Sequence, residues 1–505
     1  MTLNKSIIAY LVITFGIFLR LAQYFTNRSL WIDEAMVSLN IINKTIPELF
    51  QKLDYNQGAP IGFLLIEKIL TLFLGDSEFM LRLFPLLCGI ASLFFFFKLS
   101  TILLSPVYSL CAVSLFAILN RLIYYSAEVK QYSSDVLITI LIFIIVLQID
   151  KMESFSRIRR FILYLLPSVL IWFSFPAIFV LFGTLLALTG IYLLQKNKQN
   201  LNYILCFWIQ SLISAFILYK VHLSNLDSRE LRNFGFYSFI PLPPTYTHLE
   251  NLFAHFMSYI GLSTSPIPKL LFLAGVISMF LSKKKESLVL GSPLLITVIA
   301  SGLNLYPMYE RLLLFLVPGL IIFILSGISL LCEKFKMIYL LPIFIVLVFF
   351  QPLTTSWTNL INPKFEEEIK PVMSYVKRKI REDDILYVYY SAQYAYKYYA
   401  KRYGFNDSLI PEKSQYDPAL NAGIKRIYEK SGFNTIILGS RARENPLQYI
   451  EDINSLRGKK RVWFVFSHLY RNEMNLFLNH LRKVGLEVGY FKSNGAYAFL
   501  YDFSI

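Results

Sequence analysis

Residues 59–75, with the sequence APIGFLLIEKILTLFLG, decide how the fold of the chain is interpreted. The apolar run 61–74 lies between a proline and a glycine, and it carries Glu67 and Lys68 in its middle. Its 14 residues would extend only about 21 Å as a helix, whereas the hydrocarbon core of a bilayer is roughly 30 Å thick. We therefore predict an interfacial helix that lies on the bilayer without crossing it. Residues 46–53, IPELFQKL, are predicted to form a second, shorter one.

The composition around this segment is that of a membrane protein. Of the 505 residues, 55% are hydrophobic and 16% are charged, and the mean hydropathy is +0.51. Soluble domains contain about 25% charged residues, so these values disfavour a soluble globular enzyme and exclude a disordered, collagenous or disulfide-rich chain. The four cysteines lie in or beside apolar runs without CxxC spacing, which does not indicate a metal or redox site.

Eleven other runs have the length and apolar character of membrane-spanning helices. We interpret the first run as an uncleaved span rather than a removed signal peptide. The eleven predicted spans lie near residues 7–25, 81–100, 106–123, 135–150, 161–175, 176–194, 201–221, 268–282, 287–304, 312–331 and 337–353.

Basic residues predict the orientation of these spans. With the N-terminus inside, the inner segments at 151–160, 195–200, 282–286 and 332–336 are all enriched in Lys or Arg. This is the positive-inside pattern, and it requires that 61–74 does not span. Much of the net charge of +16, from 49 Lys and Arg against 33 Asp and Glu, therefore indicates orientation and not a nucleic-acid partner. Eleven spans place the C-terminus outside.

The predicted outer side contains the loops 26–80, 124–134 and 222–267, a short loop around 305–311, and everything after about residue 354. Residues 354–505 form a separate α/β domain in this interpretation, and residues 1–353 form the membrane domain. The domain lacks GxGxxG and P-loop patterns, so nucleotide binding has no support. Its predicted strands are 385–390, 435–439, 462–468 and 496–503, and its predicted helices include 366–381 and 471–484.

Eight tyrosines lie between residues 387 and 403. Tyrosine combines an apolar face with a hydroxyl group and can stack on a sugar ring. Packing in the domain core or against the membrane surface is the interpretation that we favour.

Three outer segments bring charged residues to the membrane surface. They are WIDEA with Asp33 and Glu34, the run 124–132, and the run 306–311. Taken singly, each has a structural explanation: acidic residues at a helix start, a Tyr and Lys anchor, or a snorkelling arginine paired with a glutamate. Taken together, the three segments place carboxylates and cations at the same depth at the membrane surface. Such a site suits a substrate with a phosphate head and a lipid tail. Ionisable residues are almost absent from the span centres, which disfavours transport.

The runs LWIDEAMVSLNI, NQGAPIGFLLIEKI, GDSEFMLRLFPLLCGIASL and YYSAEVKQY resemble the bacterial protein O-mannosyltransferase-like membrane glycosyltransferases. These enzymes belong to the GT-C superfamily, with the lipid A aminoarabinose transferase and the oligosaccharyltransferase catalytic subunit. The resemblance covers residues 7–150 clearly, and it extends more weakly to PLPP at 241–244 and to the stretch from Tyr306 to Pro318. It implies a GT-C-like α-helical membrane fold of about 11 transmembrane helices with a C-terminal extracytoplasmic α/β domain.

The same resemblance implies the activity and its site. Members of the family transfer a sugar from a polyprenyl phosphate to an acceptor outside the cytoplasm, so a lipid, glycan or protein is the expected acceptor here. Asp33 inherits the leading catalytic role and Glu34 a neighbouring one. The family pattern E-x-R-x-Y maps onto Glu128, Lys130 and Tyr132. Lysine here replaces the usual arginine, which removes a bidentate fork for phosphate.

A single displacement with inversion follows as a hypothesis. Asp33 acts as the general base for the acceptor hydroxyl, and Glu128 orients the acceptor or the basic side chains. Lys130 and Arg311, with Tyr132, bind the phosphate and stabilise the charge that develops on it. No cofactor is required by the sequence; a divalent cation is the one candidate, with Asp33 and Glu128 as its candidate ligands.

Two alternatives stay open at this point. One is a lipid-linked glycan flippase or transporter, and the other is a glycan polymerase or ligase that uses the same donor class. The expected location is the bacterial cytoplasmic membrane, with membrane lipids around the spans. The N-terminus is then cytoplasmic and the C-terminal domain extracytoplasmic.

Overall fold

The computed structural model describes residues 3–225, 239–262, 265–334, 336, 338–405, 429–431, 434–440 and 447–504. The chain divides into two compact units. The helical unit comprises residues 1–26, 46–52 and 59–363, and the loop–sheet unit comprises residues 27–45, 53–58 and 364–505. Parts of the predicted first outer loop thus belong to the same compact unit as the C-terminal residues. The rest of the predicted loop 222–267 is described, but residues 226–238 and 263–264 lie outside the described residues.

Helices make up most of the helical unit. Numbered along the chain, and including α2 of the loop–sheet unit, they are α1 (Leu3–Phe25), α2 (Ile32–Asn43), α3 (Ile61–Leu74), α4 (Glu78–Leu81), α5 (Leu83–Leu103), α6 (Pro106–Ile118), α7 (Asn120–Tyr125), α8 (Tyr132–Val146), α9 (Arg157–Leu170), α10 (Ala177–Leu194), α11 (Lys198–Val221), α12 (Tyr246–Ile260), α13 (Pro266–Ser282), α14 (Lys284–Gly302), α15 (Val317–Ser329) and α16 (Leu341–Ile361).

Each predicted span overlaps one of these helices, so the expectation of a mostly helical protein with several apolar helices is confirmed. Within the described ranges, six helices are long and apolar enough to cross a membrane by length and composition. The helices Pro106–Ile118, Tyr132–Val146 and Pro266–Ser282 are apolar but shorter. The exact number of spans stays a prediction.

The apolar run 61–74 forms a helix with the predicted bounds: α3 extends from Ile61 to Leu74. Its start is fixed by a close backbone approach: the Gly62 amide donates to the Trp172 carbonyl at 2.8 Å. A Cβ at Gly62 would lie 2.6 Å from the Phe173 ring, so only glycine fits there. The segment 46–53, predicted as a second interfacial helix, is helical over fewer residues than predicted. Only Pro47–Phe50 forms a 3-10 turn, because the next residue is already extended.

Close helix crossing occurs where α13 packs along α15. A Cβ at Gly275 would lie 1.7 Å from the Phe323 carbonyl oxygen, and a Cβ at Gly327 would lie 2.0 Å from the Leu271 carbonyl oxygen. Small residues at such a crossing allow two helix backbones to approach closely, as is common between membrane helices.

The loop–sheet unit is built on one mixed sheet. Its strands are β1 (Ile385–Val388), β2 (Glu429–Ser431), β3 (Asn434–Leu438), β4 (Val462–Ser467), β5 (Leu486–Ser493) and β6 (Ala496–Asp502). The order is β2-β3-β1-β4-β6-β5; β1 is parallel to both β3 and β4, and the other pairs are antiparallel. The helices of its C-terminal part are α17 (Ile369–Lys379), α18 (Gln393–Ala400), α19 (Leu447–Asn454) and α20 (Glu473–Val484).

The predicted C-terminal α/β domain is therefore present as a sheet with helices. All four predicted strands are found, and both predicted helices are found with shorter N-terminal ends. The tyrosine run belongs to the core: Tyr387, Tyr389, Tyr396 and Tyr399 are at most 1% exposed. Tyr387 donates a hydrogen bond to Asp452. The core-packing interpretation of these four tyrosines is therefore correct.

Candidate active site

The signature carboxylates lie in the first turn of α2, in the loop–sheet unit. Glu34 is fully buried, and one of its oxygens lies 3.9 Å from the guanidinium of Arg28, which is also buried. Asp33, its neighbour in sequence, is half-buried. The two adjacent acids therefore have different surroundings. Glu34 neutralises a buried cation, whereas Asp33 keeps access to solvent.

The far end of α2 is tied to residues 53–58 of the same unit. The Asn40 side chain donates to the Asp54 carbonyl at 3.1 Å and accepts from the Asp54 amide at 2.8 Å. Lys44 makes an ion pair of 3.1 Å with the Asp54 carboxylate. The Tyr55 ring packs at 5.0 Å against Tyr394 of α18. These contacts fix the helix that carries Asp33 at its start.

The second predicted group lies in the helical unit, between α7 and α8. Glu128, Lys130 and Tyr132 are all buried, with exposed fractions of 0%, 5% and 4%. The Lys130 amide donates to the Glu128 carbonyl at 2.7 Å, so the backbone turns tightly between the carboxylate and the cation. Tyr132 is the first residue of α8. A carboxylate, an ammonium group and a phenol therefore lie within five residues between the end of α7 and the start of α8.

Arg311 joins this group from a separate segment, the 3-10 helix Glu310–Leu316. Its guanidinium carbon lies 5.8 Å from the centre of the Tyr132 ring, within the range of a cation–π contact. Two of the three charged outer segments therefore meet within the helical unit. The neighbouring Glu310 lies 3.3 Å from the imidazole of His255.

Two phenols at this site were missed by the sequence-based prediction. The Tyr125 and Tyr259 hydroxyls share a hydrogen bond of 2.5 Å, and the Tyr125 ring meets the Tyr132 ring edge-on at 4.9 Å. Burial raises the pKa of Tyr125 far above its usual value, and the nearby Glu128 carboxylate raises it further, with Arg311 acting in the opposite direction. Burial also raises the pKa of Tyr259 to about 12. Both phenols therefore keep their protons near neutral pH and can donate hydrogen bonds.

A small cavity opens beside these side chains in the helical unit. Tyr125, Tyr132 and Ser133 line it together with Arg20 from α1. Arg20 is buried and donates to the Gly16 carbonyl at 3.0 Å and to the Ala117 carbonyl at 3.3 Å. The cavity therefore combines a cation and phenol groups with apolar walls.

The predicted site is divided between the two units. Asp33 and Glu34 belong to the loop–sheet unit, while Glu128, Lys130, Tyr132 and Arg311 belong to the helical unit. That these six residues line one cavity stays a prediction. Among the described residues, no group of three or more His, Cys, Asp or Glu side chains could hold a metal ion. Asp33 belongs to the loop–sheet unit and Glu128 to the helical unit, and the divalent cation stays a hypothesis.

No family model matches the sequence, and no curated protein matches it. Among solved structures, the archaeal oligosaccharyltransferase AglB from Archaeoglobus fulgidus, in complex with an inhibitory peptide and a dolichol-phosphate, aligns with a TM-score of 0.55 at 10% identity, over 99% of this chain and 74% of AglB. ArnT from Cupriavidus metallidurans aligns with a TM-score of 0.53 at 10% identity, over 97% of both chains, both in the apo state and bound to undecaprenyl phosphate.

The chain has the fold of the GT-C glycosyltransferases. The resemblance inferred from the sequence named the same two enzymes, the oligosaccharyltransferase and the aminoarabinose transferase, and is confirmed at the level of fold. The alignments cover nearly the whole chain, including the loop–sheet unit. The six long apolar helices among the described residues are consistent with a membrane protein.

Proposed function

We propose that the chain is a membrane glycosyltransferase that moves a sugar from a polyprenyl-phosphate donor to a lipid, glycan or protein acceptor. The reaction takes place on the extracytoplasmic side of the bacterial cytoplasmic membrane. The fold supports this proposal, because two structures that share it were solved with a lipid carrier phosphate, undecaprenyl phosphate in ArnT and dolichol-phosphate in AglB.

The observation that carries the proposal is the group of donors around Tyr132. Lys130 and Arg311 supply positive charge, and Tyr125 and Tyr259 are phenols that stay protonated. Charge-assisted hydrogen bonds suit the oxygens of a phosphate. Lys130 and Tyr125 are buried, which makes their contacts stronger than they would be in water. The group is therefore suited to stabilise a lipid phosphate as it leaves the sugar.

The chemical step is a displacement at the anomeric carbon. The acceptor oxygen forms a bond to C1 of the sugar while the bond from C1 to the phosphate oxygen breaks, and the bonding electrons go to the lipid phosphate. Asp33 accepts the proton of the acceptor hydroxyl. Asp33 lies in the first turn of α2 and is half-buried, so an acceptor hydroxyl can reach its carboxylate from solvent. Attack opposite the leaving phosphate gives inversion.

Glu34 and Glu128 have supporting roles in this mechanism. Glu34 balances the buried charge of Arg28 and so maintains the loop that carries Asp33. Glu128 is buried in the turn that carries Lys130. It balances the positive charge of the phosphate-binding group before the donor binds.

Deletion of the gene followed by mass analysis of lipids and surface glycans tests the proposal. We expect that one sugar modification disappears while its polyprenyl-phosphate-linked sugar accumulates, and that the wild-type chain restores the modification but Asp33→Asn does not. A change in glycan chain length alone would favour a polymerase or ligase. An unchanged set of glycans, with the donor lipid redistributed between the two leaflets, would favour a flippase and overturn the proposal.

A further inference from the structure

Within the loop–sheet unit, the segment that leads into Asp33 contacts an acidic run before α17. The Ser29 amide and hydroxyl donate to the two carboxylate oxygens of Glu368, at 2.8 and 3.0 Å. The Ile32 amide donates to the Glu367 carboxylate at 3.1 Å. Two neighbouring glutamates of the C-terminal part therefore bind the backbone on both sides of Trp31.

A third contact fixes the residue between them. The Leu30 amide donates to the Tyr399 hydroxyl at 2.9 Å, and both Leu30 and Tyr399 are fully buried. On its other oxygen, Glu367 lies 2.5 Å from the Nδ1 atom of His468. Three backbone amides within four residues are thus bound by side chains that are distant in sequence. We call Glu367, Glu368 and Tyr399 the loop anchor.

The loop anchor supplies a hydrogen-bond acceptor for the N-terminus of α2, where the N-cap side chain supplies none. The first amides of a helix have no partner within the helix, and a side chain at the N-cap position usually accepts from them. In α2 the N-cap residue is Trp31, which makes no such bond. Glu367 provides the acceptor instead, and a carboxylate at this end also complements the helix dipole. The direction of the first turn, which carries Asp33, is therefore set by the C-terminal part of the chain.

We propose that Glu367, Glu368 and Tyr399 are positioning residues for Asp33. This inference rests on the proposed function and deepens it: the C-terminal domain holds the catalytic base in place through three backbone contacts. Misplacement of a reacting group by about 1 Å can cost about 100-fold in rate. Loss of one anchoring carboxylate is therefore expected to lower kcat, while the lipid-phosphate contacts, which other residues make, leave KM for the donor unchanged.

The acidic run itself offers a matched control. Glu366 precedes the two anchor glutamates, and its side chain is exposed. Full-length Glu367→Ala and Glu368→Ala proteins in lipid nanodiscs, given a polyprenyl-phosphate sugar and acceptor, should show a kcat about 10- to 100-fold below wild type, with KM for the donor within about twofold. Glu366→Ala should behave as wild type. Glu→Gln variants keep an acceptor oxygen at the same distance and should recover most of the rate.

Amide hydrogen exchange measured on the same proteins gives a readout that does not depend on activity. The peptide covering residues 28–34 should exchange faster in Glu367→Ala and Glu368→Ala than in wild type or Glu366→Ala. Unchanged exchange, or faster exchange with an unchanged kcat per folded molecule, would overturn the positioning role. A wild-type chain that transfers no sugar would instead overturn the proposed function, even if the exchange results hold.

Discussion

At the scale of single residues, Arg311 combines a positive charge with an aromatic contact, since its guanidinium lies 5.8 Å from the centre of the Tyr132 ring. We expect Arg311→Gln to lower kcat/KM for the polyprenyl-phosphate sugar by about 10²- to 10³-fold, the usual effect of removing a donor that stabilises developing charge. Arg311→Lys keeps the charge but loses the planar group that stacks on a ring, so it should be intermediate. Initial rates of sugar transfer in detergent micelles measure kcat/KM for wild type and for both variants.

A suitable control cation is Lys198, whose side chain is exposed at the start of α11. Lys198→Gln should leave kcat/KM unchanged. If Arg311→Gln also transferred sugar within twofold of the wild-type rate, Arg311 would have no role at the donor phosphate.

Glu67 in α3 gives a prediction about stability. Both of its carboxylate oxygens are buried without a hydrogen-bond partner, and burial raises its pKa well above the usual 4.5. Above about pH 4.5 the unfolded chain releases this proton while the folded protein keeps it. The free energy of unfolding therefore falls by about 1.4 kcal/mol per pH unit, until the pH reaches the pKa of Glu67 in the folded protein. Glu67→Gln cannot ionise. Relative to this variant, wild type should become less stable as pH rises from 5 to 8.

Apparent unfolding temperatures across this pH range measure the difference. Glu153 is an exposed glutamate in the 3-10 helix Ile149–Ser154, so Glu153→Gln should follow the wild-type curve at each pH. Parallel curves for wild type and Glu67→Gln would show that the Glu67 carboxyl ionises in the folded protein as it does in the unfolded chain.

The sequence predicts the proximity of some of these residues but not of others, because only some of them are close along the chain. Glu128, Lys130 and Tyr132 lie within five positions, so their proximity is local and visible in the sequence. Tyr259 lies 134 residues from Tyr125, and Glu368 lies 339 residues from Ser29. Such partners are joined only by tertiary contacts, which have no signal in a single sequence.

At the scale of helices and strands, hydropathy identified each long apolar helix and placed α3 between its flanking proline and glycine. Other elements were missed or predicted less well, among them the strand β2. Residues 46–53 were expected to be helical, but only Pro47–Phe50 forms a 3-10 turn. The strand β5 was not predicted, because it lies at the sheet edge, is largely exposed and contains an irregular pairing near Gly489. Its sequence therefore lacks the apolar pattern of a buried strand.

The crossing of α13 and α15 gives a prediction at this scale. Gly327→Ala would place a methyl group 2.0 Å from the Leu271 carbonyl oxygen, so the two backbones must move apart. Overpacking of this kind costs about 1–3 kcal/mol. We expect a lower unfolding temperature for Gly327→Ala in detergent micelles.

Gly291 in α14 is the matched control, because a Cβ there would meet nothing within 4 Å. Alanine is a better helix former than glycine by about 1 kcal/mol, so Gly291→Ala should be neutral or stabilising. Equal unfolding temperatures for Gly327→Ala and Gly291→Ala would contradict the close approach of α13 and α15.

At the scale of the whole molecule, the division into two units differs from a simple division between membrane and outer domains. Residues 27–45 and 53–58 of the predicted first outer loop belong to the loop–sheet unit. The sequence separated residues 1–353 from 354–505 by composition alone. It could not reveal that the loop carrying Asp33 is held by the C-terminal part, because those contacts join segments more than 300 residues apart.

Orientation in the membrane is testable on the intact chain. Lys284 lies in a predicted inner segment and Lys401 in the predicted outer domain, and both side chains are exposed. In a chain whose four cysteines are replaced, a membrane-impermeant maleimide added to cells with a permeabilised outer envelope should label Lys401→Cys. It should label Lys284→Cys only after the cytoplasmic membrane is disrupted. The reverse pattern would contradict the positive-inside assignment.

The central claim is that sugar transfer requires both Asp33 and Glu128, and the rate of transfer by purified protein tests it most directly. Wild type, Asp33→Asn and Glu128→Gln are each given a matched polyprenyl-phosphate sugar and acceptor in lipid nanodiscs. Loss of a general base typically costs about 10²- to 10⁴-fold, so we expect Asp33→Asn to fall within that range and Glu128→Gln to be strongly impaired, with both proteins folded. Transfer at the wild-type rate by both variants would contradict the proposed site.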